Sequence, residues 1–151
     1  MPSLPPKVHR LLLLLSLFSL MAAQLPKSHT LEQILKENRW KKRVLLVAAP
    51  TTEQAGFRAQ KALLAPQSAQ LAERDFLVLD VVYDDLSEAD LQFLAKQLGI
   101  SGSQFAAVLI GKDGGVKIKS ARPIAPASLF HTVDQMPMRR QEMRRGIVDH
   151  D

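Results

Sequence analysis

Three apolar runs set the fold class. Val44 to Ala49, Phe76 to Val82 and Phe105 to Ile110 are strand-length, and Asp80 is their one charged interruption. A strand covered on both faces reads this way, because neither side can take polar residues. The segments between the runs carry apolar residues at helical spacing. Such a chain needs helices on both faces of a largely buried sheet.

Local signals place the helices. Leu31, Ile34 and Leu35 predict a short helix through Asn38, with Thr30 as N-cap and Gln33 completing a capping box. Pro50 stops the first strand. Thr52 is expected to cap a helix starting at Glu53, whose acid suits the positive end of the helix dipole. Phe57 and Leu64 share a face of that helix, and Pro66 should break it, with a second piece through Leu71. Ser87 and Asp90 form a capping box for a helix carrying Leu91, Leu94, Ala95 and Leu98, which Gly99 ends. Asp113-Gly114 is a hairpin turn, and the alternation from Val116 to Lys119 marks an edge strand. Pro126 opens a last helix carrying Leu129, Phe130 and Val133. The order α, β, α, β, α, β, β, α holds two βαβ-type connections, a hairpin and a closing helix. It predicts an α/β protein: a three-layer α/β/α sandwich with a mixed four-stranded sheet, the arrangement of the thioredoxin-like fold.

The 151 residues are enough for one domain. Before it, Lys7, His9 and Arg10 lead into the apolar run Leu11 to Leu20 and the small residues Ala22-Ala23. That order reads as a secretory signal peptide over residues 1–23, with an uncleaved membrane anchor as the alternative; the run is short for spanning a bilayer core of ~30 Å. The expected plan is a linker over 24–30, the domain over 31–145 and a flexible tail over 146–151. The protein is expected to be exported, periplasmic or secreted, with no stable membrane span once the leader is cut. Removal of Lys7 and Arg10 leaves 18 basic against 15 acidic residues, net +3. With no cysteine anywhere, the chain has neither a lipid attachment site after the leader nor a disulfide.

Four stretches carry a family resemblance: "WKKRVLLVAAP" (Trp40 to Pro50), "ERDFLVLDVV" (Glu73 to Val82), "FAAVLIGKDGGVK" (Phe105 to Lys117) and "MPMRRQEM" (Met136 to Met143). Together they resemble the bacterial form of the DUDES domain, also catalogued as domain of unknown function 4174. It is similar to domains of equarin and sushi-repeat proteins of animals. The resemblance implies a thioredoxin-like fold related to peroxiredoxins.

In such folds the first core strand ends at a turn that carries the attacking cysteine, where free N–H groups and the helix dipole stabilise a thiolate. Here Thr51 and Thr52 occupy the turn, followed by Glu53. A threonine hydroxyl forms no thiolate, disulfide or sulfenic acid, so thiol redox chemistry is excluded. The loop before the third strand, Gly102 to Ala106, lacks the proline that thioredoxins place there. Thr51, Thr52 and Glu53 remain as a candidate ligand-binding turn beside their plain capping role.

Other motifs read as structural. "GKDGG" lacks the spacing and the following lysine and hydroxyl of a phosphate loop. Asp84, Asp85, Glu88 and Asp90 miss the alternation of a calcium loop. His131 and Asp134 could pair as acid and base, with Ser128 one turn earlier, but equally fit a helix surface. His29 and His150 lie in terminal segments and argue for no metal. Two basic clusters stand out: Lys41, Lys42 and Arg43, and a candidate patch of Arg139, Arg140, Arg144 and Arg145. No aromatics interleave with them, against nucleic-acid stacking. The sequence thus points to a non-catalytic binding module, needing no cofactor, for a protein or a polyanionic envelope component. The alternatives are a cysteine-independent, oxidoreductase-related enzyme using Thr51, Thr52 or His131, and a purely structural envelope protein.

Overall fold

A computed structural model describes residues 29–148. The elements are α1 (Leu31–Asn38), β1 (Arg43–Ala49), α2 (Ala55–Leu64), α3 (Ser68–Glu73), β2 (Phe76–Val82), α4 (Glu88–Phe93), β3 (Ala106–Ile110), β4 (Val116–Ser120), α5 (Pro126–Asp134) and α6 (Pro137–Val148). A 3-10 turn at Ala65–Gln67 holds Pro66 between α2 and α3. The expected leader, residues 1–23, and the linker up to Ser28 lie outside the described residues. Helix α6 includes Gly146 to Val148, where the tail was expected to begin.

The sheet order is β2-β1-β3-β4, with β4 at an edge. β1 and β2 are parallel; β3 runs antiparallel to β1 and to β4. Only β1-α2-α3-β2 is therefore a βαβ unit, where two such connections were expected. A fully buried apolar run carries no mark of strand direction, so the reversal at β3 is invisible in its sequence.

β1 is buried along its whole length. Its side chains alternate across the sheet. Leu45, Val47 and Ala49 pack with Phe57 and Leu64 of α2 and with Leu129 and Val133 of α5. Val44, Leu46 and Ala48 face Leu31 of α1 and Leu94 at the end of α4. Each Val, Leu or Phe among them contributes roughly 1.5–3 kcal/mol when fully buried. The same alternation puts Arg43 on the α2/α5 face, one step beyond Leu45, where its guanidinium is 1% exposed.

Each helical layer is tied together by a polar joint. The Gln60 amide, fully buried, donates to the Ile124 carbonyl at 3.1 Å and accepts from the Ile124 N–H at 2.7 Å. Asp90 accepts from the Leu31 N–H at 2.8 Å and from the Ser87 hydroxyl at 2.7 Å, tying α1 to α4. α4 runs into a π-helical turn, Leu94–Leu98, which Gly99 ends at φ 62°.

Candidate functional site

The two ends of the sheet carry different chemistry. Where β1 ends, Thr51, Thr52 and Glu53 are exposed. The Thr52 hydroxyl donates to the Glu53 carboxylate at 2.8 Å. Thr52 does not cap α2, and the helix does not begin at Glu53. The chain bends through four residues, and Gln54 is the N-cap, its Oε1 accepting the Phe57 N–H at 3.0 Å. The longer amide folds back over the helix start from an extended residue, which a threonine two positions earlier cannot do.

The loop before β3 closes over this turn. Phe105 is buried, and a Cβ placed on Gly56 would lie 2.7 Å from Phe105 Cγ. A ring thus fills the space between the start of α2 and the loop before β3. Beside it the Tyr83 hydroxyl donates to the Gln104 carbonyl at 2.9 Å, and burial pushes its pKa up to about 12. At neutral pH it is a fixed donor, not an acid or base.

At the other end, where β1 and β2 begin and the β3–β4 hairpin turns, charges gather. Arg43 forks onto Glu142 of α6: Nη1 donates to Oε2 at 3.2 Å and Nη2 to Oε1 at 3.1 Å. Lys112, in the hairpin turn and 9% exposed, donates to Glu142 Oε1 at 2.7 Å and to Asp75 at 2.8 Å. Arg43 also donates to the Arg74 carbonyl at 2.9 Å, and its Nε is buried with no partner. Burial alone would raise the Glu142 carboxyl; hydrogen bonds from Arg43 and Lys112 outweigh it and hold the pKa below the usual range. Asp75 is held low in the same way by Lys112 and Lys42. A cavity of about 60 Å3 lies beside the cluster, lined by Arg43, Lys112, Lys117 and the Met136-Pro137-Met138 connection.

The expected arginine patch does not hold as a set. Arg139 is 6% exposed and turns inward, donating to the Glu73 carboxylate and carbonyl and to Asp134. Arg140, Arg144 and Arg145 are exposed. The Lys41-Lys42-Arg43 cluster divides likewise, since Arg43 is the buried member. His131 and Asp134 form no acid–base pair: Asp134 is gripped by Arg74 at 2.9 and 3.0 Å. His29 meets Glu37 at 3.3 Å. Among the described residues no group of three or more His, Asp or Glu could hold a metal ion, and no helix is long and apolar enough to cross a membrane.

On the opposite face of the same end lies a groove of about 690 Å3. Leu35, Val44, Phe93, Leu98, Ile110 and Val116 supply its apolar floor, and Lys36, Arg39 and Lys42 its lip. Of the two acids there, Asp113 is paired to Lys117 at 2.7 Å, which leaves Glu32. Arg39 is set by its bond to the Asp113 carbonyl at 3.0 Å. It also lies 5.2 Å from the ring centre of Trp40. Trp40 is 60% exposed and held at φ 66° by its N–H bond to the Lys112 carbonyl. Sequence reading missed this groove, because its walls come from α1, α4 and the hairpin. The exposed tryptophan beside a basic run was the available signal.

The family described as Domain of unknown function (DUF4174) matches residues 34–142. Coiled-coil domain-containing protein 80 of Danio rerio is 28% identical over 141 residues, covering 78% of this chain and 16% of that protein. A Plasmodium yoelii thioredoxin peroxidase I superposes with a TM-score of 0.52 at 17% identity, over 71% of this chain and 79% of its own. Plasmodium yoelii Prx1a, in a form modified at its N-terminus, gives 0.50 at 17% identity, over 71% and 80%. These structures show the fold: a thioredoxin-like α/β sandwich, with no cysteine in this chain.

Proposed function

The chain belongs to the DUF4174 family, and from that premise we propose that it is a non-catalytic binding module that takes an acidic, partly apolar segment of a partner protein in the groove beside the hairpin. The observation that carries this is the groove itself, with an apolar floor under a lip of Lys36, Arg39 and Lys42. The lip favours anions, and the floor favours a peptide over a fully polar polyanion, which would leave the apolar surface wet. The turn at Thr51 supports an active site less well, because its one acid is already bonded and Phe105 fills the adjoining space.

A fluorescent peptide alternating leucine and glutamate tests the reading. It should bind with a salt-dependent affinity that falls severalfold in a Lys36→Glu, Arg39→Gln double variant. A Thr51→Ala, Thr52→Ala variant should bind as the unaltered chain does. Absence of binding, or binding indifferent to the two lip residues, would refute it. We also place the protein outside the cytoplasm, on the leader-like order of residues 7–23. Intact-mass measurement after expression in the source cell should give a chain beginning near Gln24; full-length protein in the cytosol would contradict this.

A further inference from the structure

We propose that Arg43 and Lys112 form a carboxylate-binding cleft whose resident ligand, Glu142, is exchangeable, and that an acidic side chain of a partner protein takes its place when α6 moves away. The cleft lies on the other face of the sheet from the groove and does not depend on it.

The receptor half is built without α6. Arg43 is the first residue of β1, its N–H donating to the Asp75 carbonyl and its Nη1 to the Arg74 carbonyl. Lys112 is set by the hairpin turn and by Asp75. The two cations converge on one carboxylate, a fork on both oxygens and an ammonium on Oε1. This is a recognition geometry rather than a diffuse positive field.

The ligand half is loosely built. α6 begins at Pro137, after a break at Gln135-Met136, so it can move as a unit. Its inward contacts are mostly ionic, through Glu142 and Arg139, and Met143 is 36% exposed. A helix held by charge rather than by an apolar face can be exchanged for a segment that supplies the same charges.

The resident ligand also leaves the cleft incompletely satisfied. Arg43 Nε is buried without an acceptor while Glu142 is bound, and Arg43 lines the adjoining cavity of about 60 Å3. An incoming segment that brings a second acceptor would satisfy a donor that Glu142 leaves free. Asp75 stays behind with Lys112 and Lys42, and Asp134 and Glu73 with Arg74, so of these cations only Arg43 loses its carboxylate when α6 leaves, and it keeps the Arg74 carbonyl.

The probe is a synthetic peptide of residues 137–148, used beside a counterpart carrying Glu142→Gln. Binding is measured to the full chain bearing Glu142→Gln and to the unaltered chain. The acidic peptide should bind the variant chain at least ~10-fold more tightly than its amide counterpart. It should bind the unaltered chain more weakly, because that chain's own α6 competes. Equal affinity of the two peptides, or binding of neither to either chain, would overturn the proposal. Hydrogen exchange on the unaltered chain gives a second reading, free of any folding defect in the variant. The α6 amides should open in an event separate from β1 and β3. Exchange of α6 only together with those strands would show a fixed structural helix and sink the idea.

Discussion

At the end of the sheet where β1 stops, Thr51, Thr52 and Glu53 face solvent, and their one side-chain bond among those described runs from the Thr52 hydroxyl to Glu53, while Phe105 closes the space behind them. At the end where β1 begins, Arg43 and Lys112 are almost fully buried and held by carboxylates from β2's approach and from α6. The first end is where thioredoxin-like folds place reactive chemistry; here it is packed like ordinary core with a polar rim. The second end, structural in the usual reading of the fold, concentrates charge, a cavity and a groove. The scaffold is thus separable from its side-chain chemistry: the same sheet carries both ends, and the side chains decide where charge and open space gather.

The largest expected effect lies at the charged end. Glu142→Ala leaves Arg43 buried without its main acceptor and should lower stability by about 2–3 kcal/mol in denaturant unfolding at neutral pH. That is below the range for fully enclosed pairs, because the Glu142 side chain is 26% exposed. The effect should also carry a pH signature. Glu142, Asp75 and Asp134 each have a carboxyl held below its ordinary value in the folded chain. Their contribution is therefore complete above the ordinary carboxyl range and is lost as pH falls through it to the lowered values. Glu142→Ala should flatten part of that acid loss. An unchanged acid profile would mean that the cluster does not anchor α6.

Next in size is the closure of the turn end. Gly56→Ala drives a methyl into Phe105 Cγ, at the rigid base of a buried ring. It should cost about 1–3 kcal/mol, the usual range for overpacking, although alanine is the better helix former. Peptide binding at the groove should persist. Stabilisation by this change would show that Phe105 has room to retreat and that the turn end is open after all.

The apolar runs, the capping box at Thr30, the break at Pro66, the Gly99 stop and the Asp113-Gly114 hairpin were readable because each signal acts within a few residues. The charged cleft was not. Arg43 sits in a run with Lys41 and Lys42, and only the alternation of β1, once its register is known, sends it inward. Glu142 reads as an acid among surface arginines, and its partners are 30 and 99 positions away. Arg139 was misread for the same reason: Glu73 comes beside it only when α3 and α6 are packed. Gln54 replaced Thr52 as cap because the length of the turn after Pro50 is set by where α2 packs, not by the first good capping residue.

The smallest expected effect is the sharpest test of the comparison. If the turn end were a redox site lacking only sulfur, Thr52→Cys would place a thiol where thiolates are stabilised. Three features argue otherwise. α2 starts at Ala55, so Thr52 stands three positions before the helix rather than at its N-terminus. Gln54 already occupies the Phe57 N–H that an anion would use. The carboxylate of Glu53 lies against the Thr52 side chain and would repel a thiolate. Alkylation by iodoacetamide across pH should therefore titrate near the ordinary cysteine value of ~8.5, or above it. The substitution should change stability by no more than ~0.5 kcal/mol, since the residue is exposed and its hydroxyl serves only Glu53. A midpoint well below the ordinary value would mean that the turn keeps a thiolate-stabilising field, and the contrast between the two ends would have to be redrawn with the threonines as its active members.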